Sequence, residues 1–208
     1  MRLWRELPDL TGVLQTPTAR ALRPGGFFLA CMNFQSNDFE LFEIPVQFAQ
    51  DHAAMQTRWQ ALQREAHPDR FAAQAGAAQR VAMQWSVRIN EAWARLKDPL
   101  KRAAYLCELY GAPIQAENNT AMPTAFLMQQ MEWREALDDA SSAAALEALN
   151  TEVLQARREA LQQCAQLLDV AQDYAAAAQQ VRALMFIERF ASDVDDRLDA
   201  MDTLSNGQ

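Results

Sequence analysis

The chain has 208 residues, half of them hydrophobic, with only 6 Gly and 8 Pro. That length holds one or two domains, and the abundance of Ala, Gln, Leu, Glu and Arg favours helices over strands. The net charge of −8 is uneven: residues 112–208 carry 16 acidic and 6 basic side chains, whereas 33–111 carry 9 of each. This excludes a broad phosphate-binding surface, hence nucleic acid, and leaves room for a protein partner with basic patches. Cys31, Cys107 and Cys164 are odd in number and form no CxxC pair, which argues against a disulfide framework or cysteine zinc site and fits a reducing, cytoplasmic setting. No apolar run approaches the roughly 18 residues of a membrane span; GGFFLAC at 25–31 is too short and lacks a signal-peptide layout.

Residues 1–32 hold scattered Pro and Gly with no sustained period, and are expected to be a flexible tail or a mis-assigned start ahead of Met32. From residue 33 to 111 the pattern is helical. NDFELFEI makes a short helix that must stop before Pro45, because proline pushes the preceding residue out of helical geometry. A second helix starts at Asp51, an N-cap, and places Met55, Trp59 and Leu62 on one stripe. After a His-Pro-Asp turn comes a longer helix over 76–97, with Val81, Trp85, Ile89, Ala92 and Leu96 predicted on one face. Asp98-Pro99 breaks the chain. LKRAAYLCELYG then makes a short helix closed by Gly111 in left-handed geometry.

Residues 112–123, APIQAENNTAMP, read as a polar connector and a domain boundary. Three helices follow, over about 124–139, 142–168 and 173–202, the second capped by Ser141 or Ser142 and the third by Asp173. Joined by short turns, they should form an antiparallel three-helix bundle over 124–203, leaving 204–208 as a disordered tail. The fold class is therefore all-α, with no strand signal and no internal repeat.

QREAHPDRF at 63–71 raises the functional question. Pro68 has no N–H and a fixed φ, so the helix ends at His67 and the turn presents His67 and Asp69. Taken alone, the tripeptide is most often a solvated helix stop. An enzyme would pair His67 as base with Asp69 as its orienter, but no nucleophile accompanies them. A metal site would need further ligands, and His52 is the only other histidine.

The context decides more. The turn sits between two long helices, the first carrying Arg58 and Arg64, and INEAWARLKDPLKRAAYL follows at 89–106. Together these resemble the J-domain, the helical co-chaperone module, over about 36–110. The matching positions are Ile89, Asn90, Ala92, Trp93, Leu96, Pro99, Arg102, Ala103 and Tyr105. The resemblance implies a DnaK-class chaperone partner whose ATPase is stimulated by His67, Pro68 and Asp69, supported by Arg58, Arg64 and Arg70. Ala66 departs from the pattern, standing where an aromatic is common.

Beyond the connector, TAFLMQQMEWREALDD separates into two faces at about 100° per residue. Phe126, Gln130, Trp133 and Leu137 share one. Leu127, Met128 and Met131, rimmed by Glu132, Glu135 and Asp139, share another. A small bundle needs only one buried stripe, so the second face is either ordinary core or a partner surface. This segment, with VRALMFIERF at 181–190, is similar to the C-terminal domain of HscB-type J-proteins of iron–sulfur cluster biogenesis; the likeness spans 36–202. It implies that Leu127, Met128, Met131, Glu132, Glu135, Asp139 and Phe186 bind an IscU-type cluster scaffold, delivered to an HscA-type chaperone. Asp139 stands where the family usually has Glu. The four-cysteine module of eukaryotic members is missing, which favours the bacterial type, with no cofactor, metal or catalytic residue of its own. The rival readings are a J-protein for another client, a small His/Asp enzyme, and weak self-association through the methionine patch.

Overall fold

The computed structural model describes residues 33–71, 76–115 and 122–206. The expected tail over 1–32, with Cys31, lies outside the described residues. All described elements are helical. α1 (Asp38–Phe42) opens with a capping box in which Asn37 accepts the Glu40 N–H while Glu40 accepts the Asn37 N–H. It ends two residues short of the position Pro45 imposes, because Glu43 turns left-handed (φ 55°) and its N–H returns to the carbonyls of Phe39 and Glu40. α2 (His52–Ala66) starts at Asp51, whose carboxylate accepts the N–H groups of Ala53 and Ala54. α3 (Gly76–Leu96) runs back along it. α4 (Pro99–Leu109) is capped by Asp98, has proline in its first turn, and is followed by Gly111 at φ 75°.

The stripe on α3 is narrower than the sequence suggests. Trp85, Ile89, Ala92 and Leu96 are buried, but Val81 is 43% exposed and Ala82 takes its place in the core. The buried positions 82, 85, 89, 92 and 96 keep an alternating three- and four-residue spacing, which leaves the bulkier Val81 at the edge of the stripe. Trp59 packs against the core from its margin, stacked on Trp93 at 5.4 Å. The Asp38 carboxylate is buried and pairs with Arg88 (2.6 Å) and Arg95 (3.0 Å), tying α1 to α3. Such a buried charge is tolerable only because both partners stay.

α5 (Thr124–Asp139), α6 (Ala143–Ala165) and α7 (Tyr174–Asn206) form the second unit. Ser142 caps α6, and Asp173 caps α7 by accepting the Ala176 N–H at 2.9 Å. α7 continues past the expected end of the bundle, to Asn206. After Ala165 the chain widens into a π-helical segment, Gln166–Ala171, where a plain α-helix over 142–168 was expected. That wider winding places Asp169 so that its carboxylate accepts the N–H groups of Phe48 (2.6 Å) and Ala49 (2.8 Å), 120 residues away in the α1–α2 loop.

The two units share one core. α4 packs on α6 and α7, and the buried thiols of Cys107 and Cys164 meet there. Burial pushes Cys107 up to about 11, and burial with the neighbouring Cys107 pushes Cys164 up to about 12. Arg102, buried in the same region, donates to the carbonyls of Phe48 and Leu96. Even the connector begins packed: Ile114 is buried, and its carbonyl accepts from Arg182 on α7 at 3.0 Å. Residues 112–115 thus belong to the junction, and 116–121 lie outside the described residues.

Candidate functional site

The first site is the turn after α2. His67 takes extended geometry (φ −64°, ψ 125°), as a residue before proline should, and Pro68–Phe71 coil into one 3₁₀ turn. The Asp69 N–H donates to His67 Nδ1 at 3.3 Å. The Asp69 carboxylate lies 3.6 Å from the same Nδ1. The Arg70 N–H donates to the His67 carbonyl (3.1 Å), and its guanidinium to the Arg64 carbonyl (3.3 Å). The side chains of His67 and Asp69 are nonetheless 56% and 88% exposed. The turn is an exposed polar tip braced by these hydrogen bonds and seated on buried Ala66.

His67, Asp69, Arg64 and Arg70 are therefore exposed together, with Pro68 half-buried between them. Arg58 is different. It lies nine residues up the helix, about 13 Å along the axis. It pairs with Glu43 at 2.9 Å, donates to the Phe42 carbonyl, and keeps only 13% of its side chain exposed. The structure uses it to hold α1. Sequence reasoning also missed the clamp between the two long helices: Asn90 Oδ1 accepts from both Trp59 Nε1 (3.2 Å) and Gln63 Nε2 (2.7 Å). The polar spacing of Gln63 and Asn90 on facing stripes is the signal that could have found it.

A shallow cleft of about 170 Å³ lies at the domain junction, lined by Val46, Tyr110, Asp169 and Tyr174 among others. Among the described residues no group of His, Cys, Asp and Glu could hold a metal ion, and no helix is long and apolar enough to cross a membrane.

The second site is the outer face of α5. Its buried stripe is the one expected. Trp133 is 2% exposed, stacks on Phe190 at 5.6 Å, and donates from Nε1 to Glu152 on α6 at 2.7 Å. Phe126 and Leu137 pack beside it, and Phe126 meets Phe186 edge to face at 5.8 Å. With that stripe satisfied, Leu127, Met128 and Met131 stand out at 43%, 58% and 62% exposure, and Glu132, Glu135 and Asp139 are exposed beside them. Phe186 is half-buried. It stacks on Phe190 at 6.1 Å and reaches the surface at the edge of this face.

Similar proteins share this architecture. A family profile described as the HSCB C-terminal oligomerisation domain matches residues 122–195. The chain is 50% identical over 175 residues to a co-chaperone protein HscB homolog of Burkholderia multivorans, spanning 83% of this chain and 99% of the relative. It is 51% identical over 157 residues to the HscB homolog of Bordetella petrii, spanning 75% and 92%. Among solved structures, chaperone HscB from Vibrio cholerae superposes with a TM-score of 0.70 at 37% identity, covering 80% of this chain and 99% of that one. Human co-chaperone protein HscB does so with a TM-score of 0.72 at 25% identity, covering 94% of each.

Proposed function

The chain belongs to the HscB family of co-chaperones, and from that premise we propose that it delivers an IscU-type iron–sulfur scaffold to an HscA-type chaperone and stimulates that chaperone's ATPase. The family implies a DnaK-class chaperone as one partner. The observation that carries the finer reading is the presence of two exposed, chemically unlike surfaces on units that share one core: a braced polar tip at His67–Arg70 and a bare apolar face at Leu127, Met128 and Met131.

The tip suits a charged contact. Its residues are braced before binding, so little ordering entropy is lost, and Arg64 and Arg70 can steer and form charge-assisted hydrogen bonds to acidic groups of the chaperone. The α5 face suits a client. Three unbranched or flexible apolar side chains can mould to a partner while the carboxylate rim selects against acidic competitors. Phe186 contributes at its edge. Holding both surfaces on one body raises the scaffold's effective concentration at the chaperone. The protein makes and breaks no covalent bond itself; the chaperone hydrolyses ATP.

Calorimetric titration with each partner separately tests the division. His67→Gln should remove productive chaperone contact and leave scaffold affinity unchanged; loss of scaffold binding in that variant refutes the division. A client other than the scaffold is the reading that remains if an IscU-type protein fails to bind the folded wild type.

A further inference from the structure

The apolar face does not end at α5, and two arginines stand on the edge opposite its carboxylates. At about 100° per residue, Leu127, Met131, Arg134 and Asp138 fall within about 60° of one another. They lie on the flank of α5 that turns toward α7, because the Arg134 guanidinium sits 5.8 Å from the Phe186 ring. The opposite flank faces α6, where Gln129 reaches Glu152. On α7, Ile187, Phe190 and Val194 are buried against the bundle. Met185 and Arg189, about 40° apart, lie on the other side of Phe186, the outer one. Met185 is 40% exposed and Arg189 is exposed.

We infer that the scaffold-binding surface continues across the α5–α7 seam through Met185 and is charge-polarised, with Arg134 and Arg189 beside Phe186, and Asp138 and Asp193 one turn beyond them, opposite the carboxylates of Glu132, Glu135 and Asp139. The inference rests on the scaffold reading above and adds a definite partner chemistry. The partner segment must carry a carboxylate beside its apolar centre on the α7 side and cationic side chains on the other. Such a rim fixes orientation: a scaffold rotated by half a turn would bring like charges together, which disfavours that orientation. Apolar contact alone would leave that rotation open. In a chain whose second half is strongly acidic, two arginines at the level of Phe186 are the feature that breaks the symmetry.

Titration of an IscU-type scaffold into the full chain tests this. The Arg134→Glu/Arg189→Glu pair should weaken binding at least about tenfold, and the corresponding Lys pair should stay within about threefold of wild type. The Arg134→Met/Arg189→Met pair keeps an aliphatic stem at both positions and should still lose affinity, which separates charge from packing if the Glu pair fails to fold. Met185→Ala should weaken binding as well. Wild-type affinity in both the Glu and Met pairs, while Leu127→Ala/Met128→Ala/Met131→Ala still abolishes binding, overturns the charge polarity and leaves the scaffold reading standing. Unchanged affinity in that triple variant overturns the reading itself.

Discussion

The turn at His67 and the outer face of α5 are both exposed, yet they are held in place by opposite means. The turn is short, polar and braced by its own hydrogen bonds: Asp69 N–H to His67, Arg70 to the carbonyls of His67 and Arg64. The α5 face has no internal bonds to order it. Its order comes entirely from the other side of the same helix, where Trp133 and Phe126 are locked into the bundle. A polar trigger needs local geometry; an apolar docking face needs only a well-anchored helix beneath it. Damage should therefore spread differently from the two sites.

The largest effect should follow from unseating the helix. Trp133→Ala removes a buried indole and its bond to Glu152, and should cost about 3–5 kcal/mol of stability, lowering scaffold affinity without any change to the exposed face. Thermal melting with scaffold titration checks both; a stable variant that still loses binding would mean that Trp133 touches the partner. Next, Leu127→Ala/Met128→Ala/Met131→Ala should lose roughly 3 kcal/mol or more of scaffold affinity, the scale of a small hot-spot cluster, with the melting temperature unmoved because all three are exposed. A large drop in melting temperature would place them in the core.

The junction between the regions has its own signature. Cys107 and Cys164 remain protonated in the fold well above the ordinary thiol value of 9. Their contribution is present below pH 9 and is lost as the pH rises through 11 to 12, because the unfolded chain ionises first. Alkaline pH should thus destabilise the wild type more steeply than Cys107→Ala, by about 2 kcal/mol; parallel pH–stability curves would contradict the burial. At the turn, Arg70→Met removes one brace to the Arg64 carbonyl and should cost about 1 kcal/mol locally, read as faster amide exchange at Asp69 and Arg70. Smallest of all, His67→Gln should shift stability by no more than about 0.5 kcal/mol; a larger loss would make His67 structural.

Much of this was legible in the sequence. Caps at Asp51 and Asp173, a cap at Ser141 or Ser142, the stop at His67, and the split of α5 into two faces all follow from local rules, because each depends on residues within a turn or two. What escaped the sequence depends on tertiary partners. Arg58 looked like part of a binding surface, and only its contact with Glu43 and the Phe42 carbonyl shows it holding α1. Val81 fits the apolar period, yet Ala82 takes the buried position in the packed stripe. The π-helical segment and Asp169's grip on Phe48 and Ala49 link positions some 120 residues apart, and no local pattern announces them. The connector looked polar, but Ile114 packs because Arg182 and the α4–α7 contact are there to receive it.

The most direct measurement is single-turnover ATP hydrolysis by an HscA-type chaperone, with this protein present, with and without an IscU-type scaffold, and repeated with His67→Gln. The expected result is stimulation that disappears in His67→Gln and rises further when the scaffold is added. Stimulation that persists without His67, or that ignores the scaffold, would contradict a two-surface adaptor.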